Sequence, residues 1–248
     1  MKKIISFSVV LFTVLALLAP EAFSQVDLDI ETGIVSSGYN DVRIPGDAGT
    51  LFSLSEELEA ESGIFYRIRV FYHFNKRHHV GALYAPLSFN SSGQLDRELL
   101  FQDKTFPANT SLETTYQFNS YRLFYRYDFL RKNKIEIGVG FTAKIRDAKI
   151  AVKGNGQESV KENVGFVPIL HFRVLWKFTG SLALLLDGDA LAAPQGRAED
   201  VLAAVLFKAS DKIDLKAGYR IVEGGAENDE VYTFALINYA SIGAIIHF

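Results

Sequence analysis

The feature that most restricts this chain is a strict two-residue alternation, plainest in YRLFYRYDF at residues 121–129. Tyr121, Leu123, Tyr125, Tyr127 and Phe129 share one parity, while Arg122, Phe124, Arg126 and Asp128 share the other. A helix would scatter these residues around its circumference, whereas a strand sends successive side chains to opposite faces. The segment therefore reads as a strand with one aromatic, aliphatic face and one charged face. Which face meets water is the question the rest of the chain has to answer.

The alternation recurs. Ile64, Tyr66, Ile68, Val70, Tyr72 and Phe74 oppose Arg67, Arg69 and His73, and Ile135, Ile137, Val139, Phe141, Ala143 and Ile145 oppose Glu136, Thr142, Lys144 and Arg146. Leu170, Phe172, Val174, Trp176 and Phe178 oppose His171, Arg173 and Lys177; Leu182, Leu184 and Leu186 oppose Asp187 and Asp189; Ile213, Leu215, Tyr219 and Ile221 oppose Asp214, Lys216 and Arg220. Weaker or broken alternation near 26–42, 79–89, 199–208 and 229–248 completes about ten strands, eight or twelve being the neighbouring even counts. Bulges are expected at Pro86 and at Asn238-Tyr239. The connections at 75–78, 130–133, 179–180 and 210–212 read as short. Those around 43–61, 90–114, 153–161, 193–198 and 224–228 read as mostly longer, and Ser53 with Glu56 is spaced like the capping box of a short helix.

The N-terminal stretch stands apart. Met1-Lys2-Lys3, an apolar run from Ile4 to Ala19, and small residues around Ala22-Phe23-Ser24 read as a cleavable signal peptide over 1–24, leaving 25–248 as one domain. No second apolar run is long enough for a spanning helix. With no cysteine, neither a disulfide framework, a thiolate metal site nor a lipid anchor is expected. A formal net charge of −3 points away from nucleic acid.

Alternation alone fits a soluble barrel too, but the aromatic residues of the apolar face bunch beside the short turns. Tyr72, Phe74, Tyr127, Phe129, Trp176, Phe178, Phe207 and Phe248 would form a ring at one level, as expected where membrane meets water. The final ASIGAIIHF places Ala240, Ile242, Ala244, Ile246 and Phe248 on one apolar face. On these features the chain resembles the small bacterial outer-membrane β-barrels, including the OmpX-like, OmpW-like and PagP-like proteins. The resemblance implies an all-β, closed antiparallel transmembrane barrel in the Gram-negative outer membrane. It also implies outer-membrane lipids and lipopolysaccharide as surroundings, and recognition of the last strand and its Phe248 by the barrel-assembly machinery.

In such a barrel the charged face fills the lumen. Arg67, Arg69, Arg122, Arg126, Lys144, Arg146, Arg173, Lys177, Lys216 and Arg220 then point inward against Asp29, Glu31, Asp128, Glu136, Asp187, Asp189 and Asp214. Ions in a low-dielectric wall must pair or stay hydrated. The set reads either as an ion-pair plug or as a basic lumen that passes or binds small anionic solutes. The lumenal residues proposed for binding are Arg67, Arg69, Arg122, Arg126, Lys144, Arg146, His171, Arg173, Asp187, Asp189 and Arg220. A second reading is a lipid A- or peptide-modifying enzyme using His171 with Asp187 or Asp189, although no motif supplies a nucleophile. A third makes the loops at 43–61 and 90–114 an adhesive or receptor surface. No cofactor motif and no metal-ligand spacing stand out, since Gly188 and Gly196 lack the Lys-Ser/Thr of a phosphate loop and adjacent strand residues His78 and His79 point apart.

Overall fold

A computed structural model of the chain describes residues 25–194 and 196–248, so the signal-peptide reading of 1–24 lies outside the described residues. The barrel strands are β1 (Val26–Arg43), β2 (Gly63–His73), β3 (His78–Ala85, resuming as Ser88–Gln94), β4 (Ser111–Lys132), β5 (Ile135–Gly154), β6 (Gln157–Lys177), β7 (Leu182–Ala193), β8 (Gly196–Lys208), β9 (Ile213–Glu227) and β10 (Tyr232–His247). Each pairs antiparallel with its neighbours, and β10 returns to β1 from Asp27↔His247 to Arg43↔Tyr232. The result is a closed ten-stranded transmembrane barrel with no helix among the described residues. Closure leaves no sheet edge within the apolar belt around most of the circumference, which a bilayer requires.

Burial settles the orientation of the alternating faces. Leu123, Phe141 and Phe166 are each 67% exposed, whereas Arg122 and Arg126 are 4% exposed and Asp128 1%. Tyr121, Tyr125, Tyr127 and Phe129 likewise face outward, and the aromatic ring beside the short turns is present as Phe74, Tyr127, Phe129, Trp176, Phe178, Phe207 and Phe248. The large apolar side chains look at lipid and the charges look inward.

Several local expectations are corrected. The connections at 153–161, 193–198 and 224–228 are tight, because β5 and β6 continue to Gly154 and Gln157, β7 and β8 to Ala193 and Gly196, and β9 and β10 to Glu227 and Tyr232. Asn155 (φ 48°) and Gly156 (φ 72°) form the first of these turns, both left-handed, as a primed hairpin turn requires. Alternation fades there because strands above the membrane have water on their outer face, not because pairing stops. The extra residue expected near Asn238-Tyr239 sits instead on β1, where the register slips between Ser37↔Ile237 and Asn40↔Ala235. Pro86 does interrupt β3. Ser53 accepts a bond from the Glu56 amide (3.2 Å), but residues 54–57 make a turn rather than a helix.

Two connections are long, and they fold inward. Ile44, Phe52, Leu54, Leu58, Leu95, Leu99, Phe101 and Phe106 from these loops pack with Val42, Leu112, Ile150 and Val152 from the strand ends into one buried cluster over the barrel mouth. At the other end, Leu175, Leu185, Leu202 and Leu206 form an apolar inner layer that the expectation of a wholly polar lumen did not include.

Candidate functional site

Between those apolar layers lies a belt of buried ion pairs. Asp200 is its hub, holding Arg67 at 2.7 Å, Arg122 at 2.6 Å and Arg220. Arg220 also donates from Nε to Glu31 (2.7 Å), which shares Lys216 with Asp29. Asp189 accepts from Arg122 (2.5 Å) and from the Thr142 hydroxyl (2.6 Å), and its third neighbour is His171 Nδ1 at 3.0 Å. Asp187 pairs with Arg69 (2.7 Å). Lower down, Arg126 and His79 share Asp128, while Arg173 lies 3.7 Å from Glu136. Arg69 and Arg122 reach Asp187 and Asp189 across the lumen, and His171 reaches Asp189 from the directly opposite position on the adjacent strand.

Asp200 was absent from the lumenal carboxylates read from the sequence. Counting in twos from lipid-facing Phe207 puts Leu206, Ala204, Leu202 and Asp200 inward, and this is the signal that would have found it. The belt fills its level of the barrel. Arg67 and Arg122 border a void of only about 10 Å³, room for about one water. A cleft of about 80 Å³ below it ends on Asp187 and Arg69. His171 is buried within the belt beside Asp189, whose carboxylate also accepts from the Thr142 hydroxyl. Three of the remaining histidines, His73, His79 and His247, join Asp27, Asp214 and Asp128 in a hydrogen-bonded chain at the short-turn end.

Above the belt the picture changes. A cavity of about 520 Å³ occupies the outer half of the barrel, within the roughly 300–1,000 Å³ of small-molecule sites. Its wall is mostly apolar, with Tyr116, Phe118, Ile150, Leu191, Val222 and Ile237, and two cations stand at its inner end. Lys144 is 3% exposed, lies 4.7 Å over the Phe118 ring, and forms no ion pair among the described residues. Arg146 donates from Nη2 to the neutral Asn163 Oδ1 (2.5 Å), while its Nε is buried without a partner. The eleven residues singled out for binding thus separate. Arg67, Arg69, Arg122, His171, Asp187, Asp189 and Arg220 belong to the belt, Arg126 and Arg173 lie beneath it, and Lys144 and Arg146 face the cavity.

Against solved structures, the outer-membrane protease OmpT from Escherichia coli superposes with a TM-score of 0.56 at 9% identity, covering 90% of this chain and 97% of that one. The fold is that of a small outer-membrane β-barrel. The transport unit of the Escherichia coli autotransporter AIDA-I matches at a TM-score of 0.46 and 8% identity over 93% of this chain and 92% of that one. Ail, the attachment invasion locus protein of Yersinia pestis, matches at 0.40 and 11% over 90% and 99%. No family model and no curated protein sequence matches. At these identities the likeness concerns the fold and nothing finer.

Proposed function

We propose that this chain is a non-enzymatic outer-membrane barrel that binds a small anionic ligand in the outer half of its lumen and does not conduct solutes through it. One observation carries the reading: Lys144 and Arg146 face the cavity and neither pairs with a carboxylate among the described residues, while every cation of the belt directly below has one; the two carboxylates of the cavity wall, Glu223 and Glu230, lie against Arg197 and Lys161. A buried cation without a counter-ion is costly, and an anion arriving in the cavity removes that cost. The apolar wall suits a ligand with an apolar body behind the charge. The belt and the apolar layers above and below it support binding over passage.

Refolded protein in a planar bilayer is expected to stay silent, with folding verified by heat-modifiable gel migration. Titration with naphthalene sulfonate in neutral nanodiscs is expected to show saturable binding that weakens at least roughly tenfold in Lys144→Met, since a charge-assisted bond contributes about 1.5–3 kcal/mol. Steady ion currents, or affinity unchanged in the Lys144→Met and Arg146→Met variants, would overturn the reading.

A further inference from the structure

The barrel wall is incomplete beside this cavity. The β6–β7 register ends at Leu170↔Ala190, yet β6 continues upward to Gln157, so residues 157–169 have β5 on one side and, among the described residues, no strand partner on the other. β7 and β8 turn back early, at Ala193 and Gly196, while β4, β5 and β6 rise far beyond them. Pro168 stands at the start of this free edge, where a residue without an N–H removes no ladder bond. Outside the edge, Val164 and Phe166 continue the lipid-facing row of Leu170 and Trp176, and only above them does the outer face become charged at Glu162 and Glu158. The gap therefore begins within the apolar belt and straddles the outer surface of the membrane.

The cavity reaches through it. Its lining includes lumen-facing Lys144, Val167 and Leu191 and also outward-facing Phe166, Arg197 and Glu223. On the β7 side the rim residues are small: Ala190, Ala192 and Ala193. An irregular strand edge at membrane depth is tolerated where it borders a cavity, not where bare backbone meets hydrocarbon. Overhead, the loop cluster around Phe52, Phe101 and Phe106 covers the axial route.

The geometry points to a ligand that enters sideways, from the outer leaflet. Resting on the reading of Lys144 and Arg146 as an anion site, the inference names the occupant as an anionic membrane amphiphile. Its phosphate or carboxylate head sits on Lys144 and Arg146, and its acyl chain leaves through the gap along Phe166, Leu191 and the alanines of β7. The cations lie level with the gap, since Lys144 pairs with Val167 and Arg146 with Gly165 across β5 and β6. A head held there needs no passage through the cap or the belt.

The test is native mass spectrometry of the full barrel in neutral detergent, with dodecyl phosphate, inorganic phosphate and naphthalene sulfonate as separate probes. One dodecyl phosphate per barrel is expected, bound at least roughly tenfold more weakly in Lys144→Met/Arg146→Met, while inorganic phosphate does not survive transfer. The chain has no cysteine, so Pro168→Cys with Ala192→Cys, which continue the β6–β7 register, place one reducible staple across the gap. Oxidation is expected to abolish dodecyl phosphate uptake and reduction to restore it. Ala193→Trp obstructs the same rim without chemistry and is expected to reduce uptake likewise. Uptake unaffected by both the staple and the tryptophan overturns lateral entry, and dodecyl phosphate binding that ignores the Lys144/Arg146 substitutions overturns the placement of the head. Naphthalene sulfonate binding without dodecyl phosphate binding overturns this inference but leaves the anion site standing. Failure of both anions removes the anion site as well.

Discussion

The belt and the cavity above it use the same side-chain types in opposite ways. In the belt, three arginines converge on Asp200 and each carboxylate serves at least one cation, so burial is offset by pairing. One strand step further out, Lys144 is buried against Phe118 and half-buried Arg146 meets Asn163 instead. A lumen that only needed to be filled could have ended both cations with carboxylates, as it does below. The contrast separates charge that holds the barrel together from charge kept in reserve.

The sharpest way to break this comparison is to remove one charge from each region. Asp200→Ala removes the carboxylate that three buried guanidinium groups share, leaves Arg67 without a counter-ion, and is expected to cost about 3–5 kcal/mol. Lys144→Met, measured without ligand, is expected to be neutral or stabilising, because an unpaired buried cation gives way to an apolar side chain of similar length. Urea unfolding of the refolded barrel, followed by the fluorescence of the single tryptophan, Trp176, reads both. Equal losses in the two variants would make Lys144 structural.

The loop cluster offers the next effect in size. Phe101→Ala is expected to destabilise the cap by about 3 kcal/mol or more while leaving the barrel midpoint unchanged. Protease cutting within 95–110 is the measurement, and a matching fall in the barrel midpoint would show that cap and barrel unfold together. A smaller change probes the fit under the belt. A Cβ on Gly138 would lie 2.9 Å from Arg126 Cδ and would overlap the Asp128 carboxylate, so Gly138→Ala is expected to cost about 1–3 kcal/mol by displacing that pair. The smallest effect lies on the surface. Arg97, paired with Glu57 at 2.6 Å, holds that carboxyl below the usual carboxylate range. A depressed folded value means that the contribution is complete above the unfolded value and lost as pH falls through the folded one. Arg97→Gln is expected to loosen the first loop by less than about 1 kcal/mol at pH 7 and to make no difference once Glu57 is protonated, as read by hydrogen exchange of residues 51–60.

The sequence made the barrel legible because membrane and lumen impose opposite demands on alternate residues. YRLFYRYDF declares both faces at once, and Phe74, Phe129, Trp176 and Phe248 mark one interface. Above the outer interface that contrast disappears, so the tight turn at Asn155-Gly156 reads in the sequence as a longer loop. The inward identity of Lys144 and Arg146 was also legible. Their lack of partners was not, because Asp189 and Asp200 are claimed from across the barrel by Arg122, a pairing between residues 67 apart in one case and set by barrel diameter rather than by local pattern. The lateral gap depends on where β7 turns back relative to β6, and neither strand reveals that by itself.

The seam between β1 and β10 carries one more consequence. It brings Asp27 against His247, 220 positions later, and it is the one long pairing in the barrel that no hairpin can supply. Nine neighbouring pairings can zip progressively, but this one must wait until the rest of the sheet has curled round. Until then the growing sheet has two raw margins, the first-made and the last-made, each a template for a stray chain. The order of events in time is therefore written into the molecule. The earliest strand keeps one side unpaired for as long as the latest one takes to arrive.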